Sequence, residues 1–140
     1  MNKKTEYVVG FLFSNDKKQV VLIEKNRPEW QIGKLNGIGG HIEENETPKE
    51  AMKREFKEEA GLDINDWKQF ARIEFDRGIV YFFYSINTIE FVTTTTDEMI
   101  VIVPTSNINI NHSYIYPNLS WLIPLALDIE NHKGIINNIS

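Results

Sequence analysis

Glu55, Glu58 and Glu59 stand at i, i+3 and i+4 within the run Arg54-Glu55-Phe56-Lys57-Glu58-Glu59. On a helix that spacing gathers three carboxylates onto one face, where like charges repel unless something compensates them. A divalent cation is the obvious compensator. Mg²⁺, or Mn²⁺ in its place, prefers oxygen ligands, keeps several waters and shares its remaining positions with substrate phosphates. The plainer alternative is a solvated helix whose acids alternate with lysines.

The sequence around these acids predicts the helix they need. Thr47 is placed as N-cap, Pro48 occupies the first helical position and Glu50 closes a capping box. Gly61 is a natural left-handed stop, with Leu62 just beyond it to pack back. Between them lie about three and a half turns. Met52, Phe56 and Ala60 form an apolar stripe, whereas Lys49, Lys53, Arg54 and Lys57 are expected mostly toward solvent.

The wider stretch Gly40–Leu62 places Gly40, Glu46, the Arg54–Glu59 run, Gly61 and Leu62 in the order G-x5-E-x7-R-E-U-x-E-E-x-G-U, with U apolar. This resembles the Nudix box at every specified position, so the chain is identified as a Nudix hydrolase candidate. The resemblance implies an α+β fold, an α/β/α sandwich with a mixed sheet between helices and the box as a loop-helix-loop. It also implies Mg²⁺-dependent hydrolysis of a nucleoside diphosphate linked to another moiety. By position, Glu55, Glu58 and Glu59 are metal-ligand candidates, joined by the carbonyl of Gly39. Arg54 resembles the residue that holds and orients a ligand carboxylate, and Glu46 the early glutamate that acts behind the metal ligands or through water. The general base is left among Glu58, Glu59 and Glu98, because a base is chosen by its reach to the attacking water before its pKa. For Glu98 the alternative is a solvated loop acid.

Substrate recognition must come from outside the box. Leu35-Asn36-Gly37-Ile38-Gly39-Gly40 resembles the N-G-x-G-G run of Nudix enzymes that clear oxidised purine nucleoside triphosphates, in which the asparagine contacts the base edge. Asn36 is therefore a candidate, although Asn-Gly is also an ordinary turn dipeptide. Trp30 is placed to stack on a base or to cap the core, and Arg27 to meet a phosphate or remain a surface charge. Gly39 and Gly40 let backbone approach a ligand closely. Tyr7 and Phe11 fit core packing better than a pocket lining. His41, His112 and His132 lack metal-ligand spacing. The SQPWPFPxS array of NADH pyrophosphatases and the proline of ADP-ribose hydrolases are absent, and Tyr81 falls near but not at the tyrosine spacing of diadenosine polyphosphate hydrolases. The expected substrate is thus a (d)NTP or oxidised purine NTP, cleaved to monophosphate and pyrophosphate. The alternatives are another nucleoside diphosphate derivative, such as a nucleotide sugar or dinucleotide, or a non-catalytic nucleotide- or RNA-binding module.

Composition bounds these readings. With 140 residues, residues 1–140 are expected to form one domain able to bury a core. Hydrophobic and charged fractions of 41% and 25% fit a folded soluble chain, which argues against a disordered one. The absence of cysteine excludes disulfides, thiolate metal sites and cysteine nucleophiles. A net charge of −5 argues against non-specific binding to long nucleic acid, but not against nucleotides once a metal supplies positive charge. No apolar run is long enough to span a membrane, so a cytoplasmic monomer or homodimer is the expectation.

Along the chain, Tyr7–Phe13 and Gln19–Lys25 read as strands, Asn26–Lys34 as a loop and Leu35–Ile42 as a glycine-rich lead into the helix. Trp67–Phe75 and Ile79–Ile86 read as a hairpin turned at Asp76-Arg77-Gly78. Ile89–Thr95 is a further strand candidate, its threonine tract equally suited to loop, and Met99–Val103 is a strand ended by Pro104. Thr105–Pro117 has no clear period. Asn118–His132 has helical apolar spacing at Leu119, Leu122, Ile123, Ala126 and Ile129, with Pro124 either kinking the helix or starting a second part. The tail from Gly134 to Ser140 is expected to fray.

Overall fold

The computed structural model describes residues 4–108 and 115–132. Strand β1 (Thr5–Phe13) is the spine. Along one edge it pairs in parallel with β6 (Gly78–Ile86), nine residues in register from Thr5↔Gly78 to Phe13↔Ile86. Its other edge is divided. The first half pairs antiparallel with β4 (Ile38–His41), and the end pairs antiparallel with β2 (Gln19–Glu24).

A short β3 (Leu35–Asn36) adds to β2 just before the chain switches neighbours and becomes β4. Gly37 is the joint. A Cβ there would collide with the side chains of Val9 and Phe11 and with the carbonyl of Gly10. Strand β5 (Lys68–Glu74) flanks β6, and β7 (Ile100–Pro104) flanks β2, completing a seven-stranded mixed sheet.

Alternation along the strands sends two sets of side chains to two faces. Val8, Leu12, Val21 and Ile23 meet Ala51, Met52, Phe56 and Ala60 of α1 (Pro48–Ala60). Phe11, Phe13, Val20 and Leu22 meet Leu119, Leu122, Ile123, Ala126 and Ile129 of α2 (Leu119–His132). The two layers of helix around one sheet are the expected α/β/α sandwich. Gly10 lets α1 ride close, since a Cβ there would meet the thioether of Met52.

Both helices follow their local signals. In α1, Thr47 accepts from the amide of Glu50 at 3.1 Å, and the Glu50 carboxylate accepts from the amide of Thr47 at 2.9 Å. Gly61 closes the helix at φ +70°, the left-handed conformation that favours glycine. Helix α2 runs unbroken through Pro124, whose ring lies on the exposed face, where water can reach the freed carbonyl of Ser120.

The hairpin β5–β6 forms as expected, but Ile89–Thr95 is not a strand. It is a turn at Glu90 and Phe91 followed by an irregular connection, which is the loop alternative for its threonine tract. Phe11 is fully buried in the core, and Tyr7 packs edge-on against His41. His132 contacts Asp128 within α2, whereas His112 and the tail after His132 lie outside the described residues. Among the described residues no helix is long and apolar enough to cross a membrane.

Candidate metal and phosphate site

The site lies where the end of β2, strand β4 and the outer face of α1 meet. Gly40 brings β4 directly under α1. A Cβ on Gly40 would fall on the carboxylate of Glu55, so glycine at this position is what allows that carboxylate to lie over the strand backbone. Gly39 is constrained differently, because a Cβ there would run into the backbone carbonyl of Val8 on the neighbouring strand.

Arg54 organises the acids. It grips Glu46 with a two-pronged fork, Nε donating to Oε2 at 2.7 Å and Nη2 to Oε1 at 2.9 Å. Nη2 also donates to the carbonyl of His41 at 3.0 Å, tying the helix to the end of β4. Nη1 points at Glu55 Oε1 and Glu58 Oε2, both at 3.4 Å. The sequence reading placed Arg54 mostly toward solvent; its side chain is instead only 24% exposed, buried by the acids it holds. This fork presses the Glu46 carboxyl below the usual carboxylate range and holds the guanidinium firmly charged.

Glu55 and Glu59 are in the opposite situation. Burial raises the Glu55 carboxyl despite the nearby Arg54 charge, with Glu58 adding to the shift. Burial, reinforced by Glu55, Glu98 and Glu58 and opposed by Lys25, pushes Glu59 up to about 8. One oxygen of each, Oε2, is buried and lacks any hydrogen-bond partner among the described residues. An unpartnered buried carboxylate oxygen is costly. Glu59 also lies in the last turn of α1, whose negative end favours a cation.

Among the described residues, no three His, Asp or Glu side chains already converge as a closed metal cage. The donor set nonetheless fits a hard divalent ion, which needs only one or two carboxylates from protein when water and phosphate oxygens complete its shell. Glu58 lies at the rim, with its side chain 57% exposed.

Glu98 is drawn into this site from the far side. It is 3% exposed, not a solvated loop acid. Oε1 accepts from Lys25 Nζ at 3.1 Å and Oε2 from the backbone amide of Asn26 at 2.8 Å. Lys25 was absent from the residues singled out in the sequence, and so was the sheet pairing that delivers it. Its only sequence signal is a lysine ending an apolar strand.

The recognition candidates divide. Asn36 faces the same side of the sheet as its ladder partner Ile23, in the layer of α1. Its Oδ1 accepts from the amide of Gly37 at 2.7 Å and its Nδ2 donates to Gln31 Oε1 at 3.1 Å. Arg27 pairs with Asp97 at 2.9 Å on the surface. Trp30, 61% exposed, does not cap the core; its ring contacts Tyr116, 5.7 Å between centroids, and Tyr116 packs with the α2 layer. Gln31, which accepts from Asn36, directly follows Trp30 in the same short turn, Glu29–Gln31.

The NUDIX domain family matches residues 4–110 of this chain. An 8-oxo-dGTP diphosphatase of Haemophilus influenzae is 30% identical over 90 residues, which cover 62% of this chain and 66% of that protein. An 8-oxo-dGTP diphosphatase of Escherichia coli strain K12 is 30% identical over 87 residues, covering 60% and 67%. The chain therefore spans about two thirds of the length of these curated relatives. In three dimensions it is similar to a NUDIX-family hydrolase from Clostridium perfringens, with a TM-score of 0.74 and 23% identity over 91% of this chain and 99% of the other.

Proposed function

The chain belongs to the NUDIX domain family, and from that premise we propose a divalent-metal-dependent pyrophosphohydrolase. Its substrate is a nucleoside triphosphate, foremost an oxidised purine nucleotide, released as monophosphate and pyrophosphate. The observation that carries the reading is the pair of buried, unpartnered oxygens of Glu55 and Glu59, the first of them over the bare backbone of Gly40. The diphosphatase relatives support the choice of substrate.

Glu55, Glu59, the carbonyl of Gly39 and, at the rim, Glu58 would hold Mg²⁺ or Mn²⁺. Such an ion, when bound, neutralises diphosphate charge and acidifies water. Everything else is done by the chain. Arg54 fixes the Glu55 and Glu58 carboxylates from behind through its fork to Glu46. Water adds to a phosphorus of the α–β anhydride, that linkage opens, and the proton lost by water goes to a carboxylate.

We assign that proton to Glu58, which is exposed where Glu55 and Glu59 are partly buried. Glu98 is the alternative base. Both of its oxygens are already engaged, Oε1 by the Lys25 ammonium and Oε2 by the amide of Asn26, so a water would have to displace one of these partners to reach it. Asn36, whose amide is oriented by Gly37 at one end and Gln31 at the other, would contact a base edge through its second Nδ2 hydrogen; Trp30 and Arg27 are the further contacts, to base and phosphate.

The test is a panel of canonical and oxidised nucleotides incubated with Mg²⁺, with monophosphate and pyrophosphate measured for the parent and for Glu58→Gln. The expected outcome is release of both products by the parent, loss of at least about a hundredfold in Glu58→Gln, and no turnover with chelator. Intact substrates throughout, with unchanged nucleotide binding in Glu58→Gln, would reduce the protein to a binding module.

A further inference from the structure

Four consecutive threonines, Thr93–Thr96, follow the loop after β6, and each makes a different bond. The amide of Thr93 donates to the carbonyl of Ala60 at 2.9 Å. The hydroxyl of Thr95 donates to the carbonyl of Glu58. The hydroxyl of Thr94 accepts from the amide of Ile100 at 3.0 Å, and that of Thr96 accepts from the amide of Glu98 at 3.1 Å.

Two of these bonds end on the last turn of α1 and two on the segment that carries Glu98 into β7. With them, three of the four carbonyls that a helix C-terminus leaves without an internal partner are satisfied: Lys57 by the amide of Gly61, Glu58 by Thr95 and Ala60 by Thr93. The fit is close as well as bonded. A Cβ on Gly61 would touch Thr93 Oγ1 and Thr95 Cγ2.

The far end of this segment is equally tied down. Asp97 takes Arg27 through its carboxylate and the Asn26 side chain through its carbonyl, while the carbonyl of Met99 accepts from the amide of Glu24 at 2.8 Å. Residues 93–99 thus run without slack from the end of the acid-bearing helix to the end of β2.

We propose that the Thr93–Thr96 tract sets where the last turn of α1, and so the Glu58 and Glu59 side chains, stands relative to Lys25 and Glu98, with Thr95 as its positioning residue. This rests on the hydrolase reading above. A single exposed hydroxyl contributes little to folding, but carboxylates that must meet an ion and a phosphate tolerate only small displacements. The role is one that the glutamates cannot fill themselves, because the clamp acts on their backbone.

The test compares Thr95→Val, which keeps the shape and removes the hydroxyl, with Thr95→Ser, which keeps the hydroxyl. Mn²⁺ affinity is measured on the substrate-free protein, kcat and KM are measured separately with Mg²⁺, and thermal melting is followed for each variant. In Thr95→Val, Mn²⁺ affinity and kcat are expected to fall by about tenfold, with KM within about twofold and the melting temperature within about 4 °C of the parent. Thr95→Ser restores both. Parental Mn²⁺ affinity and kcat in Thr95→Val, or equal losses in Thr95→Ser, would overturn the proposal. If the parent hydrolyses no nucleotide, the hydrolase reading fails, while the Mn²⁺ comparison still decides the role of Thr95.

Discussion

Arg54 meets Glu46 fork to fork, two hydrogen bonds of 2.7 and 2.9 Å between a helix residue and a loop residue eight positions earlier. Lysine cannot reproduce this. Its single ammonium reaches one oxygen and leaves the second unmet, and the links from the guanidinium to His41, Glu55 and Glu58 are lost as well. Arg54→Lys should lower kcat by about 10- to 100-fold, and steady-state kinetics at saturating Mg²⁺ would read it. Equal kcat in parent and variant would show that the fork positions nothing the reaction needs.

Neighbouring glycines should fail in different ways. The atoms nearest a methyl at Gly40 belong to the movable end of Glu55, so Gly40→Ala should remain folded by circular dichroism while losing divalent-cation affinity and most turnover. A methyl at Gly39 meets the backbone of Val8, which cannot step aside, so Gly39→Ala should lower the melting temperature substantially. A Gly40→Ala protein that binds cation as tightly as the parent would remove Glu55 from the site.

The raised Glu59 carboxyl has a consequence for stability. In the unfolded chain it titrates near 4.5 and in the metal-free fold near 8, so between those values the folded state binds the extra proton. Stability from this group is complete below about 4.5 and is lost as pH rises toward 8. The metal-free protein should therefore melt lower at pH 8 than at pH 5, by roughly 10 °C, and Glu59→Gln should flatten that dependence. Adding Mg²⁺ at pH 8 should raise the melting temperature by mass action. A melting temperature that climbs between pH 5 and pH 8, in metal-free parent and Glu59→Gln alike, would contradict this.

Thr47 should separate stability from chemistry. Its capping box is complete and remote from the reacting atoms. Thr47→Ala should cost about 1 kcal/mol, seen as a lower urea midpoint at unchanged slope, with kcat and KM retained well below the melting temperature.

What was legible in the sequence was what neighbours in sequence decide. The limits of α1, its buried stripe and the convergence of its acids followed from a cap, a proline, a glycine and a period, all within about four turns. Glu98 stood out as a base candidate, but its burial was not legible, because its partners Lys25 and Asn26 lie more than seventy positions away and reach it only through the β2–β7 pairing. The burial of Arg54 was missed because Glu46 approaches from a loop. Ile89–Thr95 stood between strand and loop because branched residues favour extended backbone, and the structure resolves it as loop. Its threonine hydroxyls and amides are spent on helix carbonyls and turn amides, leaving no ladder. Asn36 was visible as a residue, but the bond that decides which end of its amide faces outward was not.

Gly37, where the chain leaves β2 for β1, divides the loop of residues 25–34 from the strand that lies under α1. Gly39 and Gly40 are registered against β1, whereas the loop is anchored to β2 and, through Lys25, Asn26 and Arg27, to Glu98 and Asp97. Length changes in the distal part of the loop need not shift the register of β4, because pairing begins afresh after the joint. The joint therefore works as a mechanical break that isolates the strand from strain arising in the loop.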